Sequence, residues 1–275
     1  MTSQLQKAEA FRDLHRREGL FVIPNPWDVG TARILTASGF KALATTSAGF
    51  AFSRGLSDGA VARDEMLRHV AEIVAASPLP VSADLEAGYG NSPEQAAMTM
   101  RLAAATGVVG GSIEDASGDP AAPLVDLQLA ADRVRAAAEE AARLPFPFML
   151  TARAENFLVG RPDLRDTIAR LQAYQDAGAN VLYAPGLTRK ADIATLVRSV
   201  DRPVNVVMGL TGLELTLQEL QDIGVKRVSL GSALCRTALG ALLSSIAEMQ
   251  EHGTFGFAKR AVPFSEMNTL FAKPK

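Results

Sequence analysis

Eight short runs of apolar and β-branched residues recur along the chain, and each is followed by a polar turn and a longer stretch with helical spacing. This alternation of strand and helix is typical of a parallel sheet in the α/β class. Eight units in 275 residues predict a closed (β/α)8 barrel of the TIM type, with an open doubly wound sheet as the main alternative. The predicted strands span residues 20–24, 41–45, 80–84, 108–114, 147–152, 180–183, 204–207 and 227–230.

Both ends of the chain carry apolar patterns outside the eight units. Because no linker or shift in composition divides the sequence, we expect one domain over residues 1–275. Residues 1–19 should form a helix that closes the lower end of the barrel, and residues 251–275 a C-terminal extension. The N-terminal pattern consists of Leu5, Ala8, Phe11 and Leu14. The extension is too apolar to stay exposed in a monomer, so we expect it to pack either on its own barrel or on a neighbouring subunit. A last helix that is swapped between subunits would be an example of the second arrangement.

The charge balance excludes several classes of partner. Twenty-eight basic and thirty acidic residues give a formal charge of −2, so there is no electrostatic signature for nucleic acid or an anionic membrane. No apolar run reaches membrane-spanning length, and the N-terminus lacks the apolar core of a signal peptide. The single cysteine, Cys235, fits a reducing cytosol. We therefore expect a cytoplasmic protein whose partners are small molecules.

Acidic residues follow the predicted strands at their C-terminal ends, where the active sites of such barrels lie. They are Asp84, Glu86, Glu114, Asp115 and Glu155. Several carboxylates on one rim repel one another at neutral pH unless a cation lies among them. Hard oxygen ligands without histidine or cysteine nearby favour Mg²⁺ or Mn²⁺ over zinc. The sequence therefore predicts a metal site at this rim, with Asp84 and Glu86 as candidate ligands.

An alternative role for Asp84 and Glu86 is to cap the helix that follows them. That helix start is already supplied by Ser92 at the N-cap and Pro93 at the first helical position. The two acids alternate along an extended segment, so their side chains should point the same way. This favours the metal site over the capping role.

Other rim residues allow both a structural and a functional interpretation. Arg153 can pair with Glu155 or Glu114, and it can also hold a substrate carboxylate through its two parallel N–H groups. Asp58, taken alone, is a turn aspartate. Trp27 is either buried in the core or one wall of the pocket. Asn205, at the seventh strand, should contribute to substrate selectivity.

The remaining reactive residues lie away from the rim. His15, His69 and His252 fall on or after predicted helices, so a histidine base or ligand is not expected. No lysine ends a strand, which argues against a Schiff-base aldolase barrel.

Five segments in order resemble the isocitrate lyase and phosphoenolpyruvate mutase superfamily. They span residues 25–28, 45–58, 84–91, 113–115 and 152–155. The resemblance implies Mg²⁺ held directly by Asp84, with Asp58, Glu86 and Glu114 acting through metal-bound water. It also implies that Arg153 clamps the substrate, and that Asp58 or a metal-bound water carries the proton. The backbone of Thr46, Ser47 and Ala48 would face the substrate carboxylate and the developing oxyanion.

Two departures from the superfamily bear on the reaction. The Lys-Lys-Cys-Gly-His loop of isocitrate and methylisocitrate lyases is missing, and so are the lysine and asparagine that follow Glu-Asp in the phosphonopyruvate enzymes. Glu86 stands where an aspartate is more usual. We expect a Mg²⁺-dependent lyase that cleaves a C–C bond in a small 2-oxo or 2-hydroxy di- or tricarboxylate through an enolate.

Three alternatives to this lyase remain. They are an oxaloacetate-type 2-oxo acid decarboxylase, a phosphonopyruvate or carboxyphosphonate enzyme, and a non-catalytic 2-oxo acid binding protein. The resemblance further implies a homo-oligomer, a dimer of dimers.

Overall fold

Eight parallel strands form the centre of the molecule, which is a computed structural model describing residues 2–272. Their order is β1-β8-β7-β6-β5-β4-β3-β2, and a hydrogen bond from the Ala44 N–H to the Pro24 carbonyl, 3.1 Å long, links the first and last strands of this order. The (β/α)8 barrel is confirmed, and the open doubly wound alternative is wrong. The strands are β1 Phe21–Ile23, β2 Leu43–Ala44, β3 Val81–Asp84, β4 Gly110–Glu114, β5 Met149–Arg153, β6 Val181–Tyr183, β7 Val204–Val207 and β8 Arg227–Ser229.

Helices surround the strands. A capping box at Ser92 and a proline at position 93 begin α5, as the sequence predicts. The helices are α1 Gln4–Arg16, α2 Val29–Ala37, α3 Ser47–Ser53, α4 Arg63–Ala76, α5 Pro93–Ala105, α6 Leu127–Ala142, α7 Leu164–Asp176, α8 Lys190–Arg198, α9 Leu217–Asp222, α10 Ala233–His252 and α11 Phe264–Phe271, with a 3-10 helix over Gly256–Arg260. None of the helices between residues 2 and 272 is long and apolar enough to cross a membrane.

Helix α1 closes the N-terminal end of the barrel. Ser3 caps it, and one face buries Ala8, Phe11 and Leu14 in an apolar cluster with residues of five strands or their flanks. The strand-side members of this cluster are Phe21, Ile23, Ala42, Val109, Met149 and Val181. Helix α1 therefore packs against the end of the barrel opposite to the one where the strands terminate.

One strand boundary differs from the sequence prediction in a way that matters for the site. Strand β5 continues through Arg153, one residue beyond the predicted end, because Arg153 pairs in register with Glu114 on one side and Tyr183 on the other. The ladder therefore fixes the backbone of Arg153 directly, between two strands that also end in polar residues.

The last helices lie apart from the barrel. Cys235 is the only buried residue of α10, and none of α11 is buried, although α11 packs against α2 of the same chain. The predicted extension over residues 251–275 ends in residues 273–275, which lie outside the described part, as does residue 1 of the predicted N-terminal helix.

Replacing Phe11 with alanine should lower the free energy of unfolding by about 3 to 5 kcal/mol, as for other buried aromatic side chains. Phe11 is fully buried and packs edge-on against His15 and Phe21. Leu5→Ala on the same helix is the matched control, because Leu5 is largely exposed and its loss should cost well under 1 kcal/mol. Urea denaturation measures both. Equal destabilisation by the two substitutions would contradict the conclusion that α1 closes the barrel through its buried face.

Candidate active site

A cavity of about 410 Å³ lies at the C-terminal ends of the strands. The structure brings most of the predicted site residues to its wall. They are Thr46, Ser47, Ala48, Asp58, Asp84, Glu86, Glu114, Arg153 and Asn205. Trp27 is not among the lining residues. It packs against α3 instead, where a Cβ atom on Gly49 would come within 3.2 Å of the Trp27 Cβ, so the structure favours its packing interpretation.

Arg153 lies at the centre of the carboxylates. Its Nη1 is 3.1 Å from Asp84 Oδ1, its Nη2 is 2.9 Å from Glu114 Oε2, and its Nε is 2.8 Å from Glu155 Oε1. The guanidinium also lies 5.2 Å from the centre of the Tyr183 ring. Burial lowers the pKa of Arg153, but Glu114, Glu155 and Asp84 outweigh that effect and raise it well above the usual value. The guanidinium therefore carries its charge at every relevant pH.

Asp84 connects Arg153 to the beginning of α3. Its Oδ2 accepts hydrogen bonds from the Ser47 backbone N–H, 3.0 Å, and the Ser47 hydroxyl, 2.8 Å. Its own backbone N–H donates to Thr45 Oγ1. Thr46 begins α3 as the N-cap residue, with its side chain accepting from the Gly49 N–H. The donors of Ser47 thus point toward the cavity and are held there by a carboxylate.

The loop after β3 has an unusual backbone. Glu86 and Tyr89 have φ angles of 48° and 55°, in the left-handed region that non-glycine residues rarely adopt. Within residues 2–272, neither Glu86 Oε1 nor the Tyr89 hydroxyl has a hydrogen-bond partner, although both atoms are buried. Burial, with Asp84 and Asp58 nearby, raises the pKa of Glu86 to about 7. Backbone strain of this kind is frequent in functional loops, and Glu86 lines the cavity.

The donor set fits a divalent cation. Among residues 2–272, no three histidine, cysteine or acidic side chains converge closely enough to hold a metal ion by themselves. The cavity nevertheless has five carboxylates and three guanidinium groups on its wall, so two negative charges are left uncompensated. Burial also raises the pKa of Glu114 and of Glu155, which opposes their ionisation unless a cation is bound. Mg²⁺ requires only one or two protein carboxylates, with water or substrate completing its shell.

Residues behind the cavity wall hold the ends of β4 and β5. Asp115 is almost fully buried, and its Oδ1 accepts from the Glu155 backbone N–H at 2.8 Å. Its Oδ2 accepts from Arg170 Nη1, 3.0 Å, and from the Tyr174 hydroxyl, 2.5 Å. Arg170 also donates to the Val125 carbonyl, and the Val125 N–H donates to the Asp115 carbonyl. Helix α7 thereby fixes both ends of the loop over residues 116–124.

Sequence reasoning missed two arginines of the cavity wall. Arg227 lies at the start of β8, and Arg236 lies on α10, where it donates to the Gly209 carbonyl. The available signal for Arg227 was a charged residue inside a predicted strand, over residues 227–230. Asn205 was predicted as a site residue, and its side-chain amide is hydrogen-bonded within the protein. Its Oδ1 accepts from Arg227 and its Nδ2 donates to Ser229.

This geometry agrees with comparisons against known proteins. The family model of phosphoenolpyruvate phosphomutase matches residues 11–250. The chain belongs to the isocitrate lyase and phosphoenolpyruvate mutase superfamily. It is therefore an enzyme of a superfamily of lyases and mutases that act on small carboxylates, and whose members generally depend on a divalent metal.

Individual relatives cover nearly the whole chain. A crystal structure from Burkholderia cenocepacia J2315, described as a candidate lyase or mutase, is 58% identical, with a TM-score of 0.97 over 98% of this chain and 97% of that one. Oxaloacetate acetylhydrolase bound to oxalate is 26% identical, with a TM-score of 0.87 over 98% of this chain and 95% of that one. The 2-methylisocitrate lyase of Salmonella typhimurium is 30% identical over 68% of this chain and 66% of its own length.

Arg170→Met should destabilise this superfamily member by about 3 kcal/mol or more, because it leaves the buried Asp115 carboxylate without its charged partner. The matched control is Arg143→Met, which breaks an exposed ion pair with Glu140 and should cost less than about 1 kcal/mol. Thermal and urea denaturation of both variants measure the difference. If the two substitutions lower the free energy of unfolding equally, α7 does not support the site through Arg170 and Asp115.

Proposed function

We propose that the enzyme is a Mg²⁺-dependent lyase that cleaves a C–C bond in a small 2-oxo or 2-hydroxy di- or tricarboxylate through an enolate. The observation that carries this proposal is the position of Arg153, which lies among Asp84, Glu114 and Glu155 in a cavity with two uncompensated negative charges. A cation bound at Asp84 would replace the Arg153 contact there and free one edge of the guanidinium. That edge would then hold a substrate carboxylate.

Substrate binding in this proposal rests on two sets of donors. Arg153 presents planar, parallel N–H groups to a carboxylate, and Glu114 and Glu155 keep the guanidinium in place. At the start of α3, the amide of Ala48 would face the substrate's oxyanion, while the backbone and hydroxyl donors of Ser47 hold Asp84 in place. Such preorganised donors stabilise charge that develops during the reaction. Bound Mg²⁺ would supply Lewis-acid stabilisation of the same charge, through Asp84 directly and through Glu86 and Glu114 by way of water.

Proton transfer is assigned to Asp58. It lies on the exposed loop between α3 and α4 and lines the cavity. A carboxylate in that position can take the proton of a 2-hydroxy group or return one to an enolate carbon. In this arrangement Glu114 mainly holds Arg153 in position, because Glu114 Oε2 is paired with the guanidinium.

Several relatives are consistent with this reaction class. One is named 2,3-dimethylmalate lyase, with 25% identity and a TM-score of 0.83. The runner-up within the class is an oxaloacetate-type 2-oxo acid decarboxylase, and the oxaloacetate acetylhydrolase structures are consistent with an oxaloacetate-like substrate. Phosphonopyruvate or carboxyphosphonate chemistry stands third, because the lysine and asparagine of those enzymes are missing from the sequence.

A rival of a different class is a barrel that binds 2-oxo acids without turning them over. The sequence lacks the cysteine-containing loop that carries the general acid of isocitrate lyases, while the carboxylate-binding groups are all present. Turnover separates the two proposals, since both require the same binding site.

Asp84→Ala should abolish Mg²⁺-dependent turnover while the far-ultraviolet circular dichroism and the melting temperature stay close to those of the unaltered enzyme. The assay offers a panel of 2-oxo and 2-hydroxy di- and tricarboxylates, oxaloacetate included, with Mg²⁺ or Mn²⁺ and with chelator. Asp132→Ala is the matched control, because Asp132 is an exposed acid on α6, far from the cavity. Undiminished turnover by Asp84→Ala would sink the metal assignment, and binding of oxalate without product from any candidate would favour the non-catalytic rival.

The exposed C-terminal helices support a second proposal, that the enzyme forms a homo-oligomer, arranged as a dimer of dimers. Large apolar side chains of α10 and the segment after it are exposed in the single chain. They are Leu242, Leu243, Phe255, Val262 and Phe264. Exposed large apolar side chains in this number are a liability in a monomer, and a second copy carrying the same helices would cover them symmetrically.

Sedimentation velocity should therefore give the mass of four chains, or of two at low concentration. Introducing charge with Leu243→Glu should shift the distribution toward the monomer, because the side chain would enter an apolar interface. Leu5→Glu, at an exposed position of α1 remote from these helices, should leave the distribution unchanged. A monomeric unaltered protein would refute the proposal.

A further inference from the structure

The floor of the cavity is a buried guanidinium that no carboxylate neutralises. Arg227 is 5% exposed, and its side chain crosses the barrel interior from β8. Its Nε donates to Asn205 Oδ1 at 2.8 Å, its Nη2 donates to Thr151 Oγ1 at 2.9 Å, and its Nη1 lies 3.3 Å from His15 Nε2. All three partners are neutral groups when His15 is unprotonated. Two of the five N–H groups of the guanidinium have no partner among the described residues.

His15 accepts from Arg227 without adding charge of its own. Its Nδ1 lies 2.8 Å from the Phe11 carbonyl, which can only accept, so Nδ1 carries the proton and the lone pair is on Nε2. Burial and the charge of Arg227 lower the pKa of His15 to about 3, so it is neutral near pH 7. The capping helix α1 therefore supplies a neutral acceptor to the guanidinium, and Arg227 keeps its positive charge uncompensated.

A buried cation of this kind is costly unless something pairs with it. Within the part of the chain that the structure describes, no acidic side chain comes within 4.0 Å of Arg227. Burial lowers the pKa of Arg227 to about 10, which still leaves the side chain charged near neutral pH. Thr151, its partner, lies two residues before Arg153 on the same face of β5, about 7 Å away along the strand. The charge of Arg227 is thus close to the position proposed for the substrate.

We propose that Arg227 is the second cation of the substrate site. Its unpaired charge is held at the cavity floor by Asn205, Thr151 and His15. This charge attracts the dianionic carboxylate substrate and limits how tightly the acidic rim binds a divalent cation. This inference rests on the proposed function, because it concerns the same cavity. It explains why a polar interior with a charged floor is retained where many barrels have packed apolar layers. It also assigns a role to α1 beyond closing the barrel, since His15 orients the guanidinium.

The charge of Arg227 predicts effects of opposite sign on the two ligands. Arg227→Met removes the charge and the guanidinium hydrogen bonds but keeps an unbranched side chain, so oxalate should bind about tenfold more weakly at saturating Mg²⁺, while Mg²⁺ alone should bind more tightly. Arg227→Lys keeps the charge and should lie much closer to the unaltered protein in both titrations. Isothermal titration calorimetry with Mg²⁺ alone, and then with oxalate, measures each affinity without turnover. Arg198→Met, at an exposed position of α8, is the control and should change neither.

A merely structural role would move both affinities in the same direction, because a distorted site holds both ligands poorly. Weakened binding of both ligands by Arg227→Met, or no change in either, would overturn the inference. If Arg227→Met does not fold, Asn205→Asp tests the same charge, since it places a carboxylate against Arg227 Nε without creating a cavity. Asn205→Asp should also weaken the binding of oxalate and strengthen the binding of Mg²⁺. If the unaltered protein does not bind oxalate with Mg²⁺, both the proposed function and this inference are overturned. If the unaltered protein binds oxalate and the Arg227 variants bind both ligands with the same affinities as it does, the inference alone is overturned.

Discussion

The contact of one guanidinium with three carboxylates organises the catalytic end of this barrel. Arg153 ends β5, and its three nitrogens contact Asp84 at the end of β3, Glu114 at the end of β4 and Glu155 just after β5. Burying that many charges is unfavourable unless each is paired, so the carboxylates and the arginine constrain one another's positions. Removing Arg153 would leave the three carboxylates without their shared cation. The site is therefore held by the same groups that are proposed to bind the ligands.

Two buried layers support this cluster from different sides. Behind it, Asp115 joins the backbone of Glu155 to Arg170 and Tyr174 of α7. Below it, Arg227 joins β8, β7 and β5 to the capping helix through His15. Polar groups in a low-dielectric interior must be satisfied, and satisfied networks are rigid. The barrel thus fixes Asp84, Glu114 and Arg153 on strand ends, while Asp58 and Glu86 lie on the loops around them.

The fold and much of the site followed from sequence because both depend on local patterns. Periodic apolar runs set the eight strands, and residues that end strands of a parallel barrel must meet at one rim, which brought Asp84, Glu114 and Arg153 together as predicted. Arg227 could not be found in that way, because it lies at the start of a strand and reaches the cavity only through a long side chain. Trp27 was ambiguous because a residue just after a strand can point to the cavity or outward against a helix.

The central claim is that Arg153 exchanges a carboxylate of the protein for a carboxylate of the substrate when a divalent cation is bound. A crystal structure of the enzyme with Mg²⁺ and oxalate tests it most directly. The account predicts a cation about 2.1 Å from an Asp84 carboxylate oxygen, with Arg153 hydrogen-bonded to oxalate and still paired with Glu114 and Glu155. A structure in which oxalate lies elsewhere, or in which Arg153 keeps its contact with Asp84 and no cation is bound, would contradict the account.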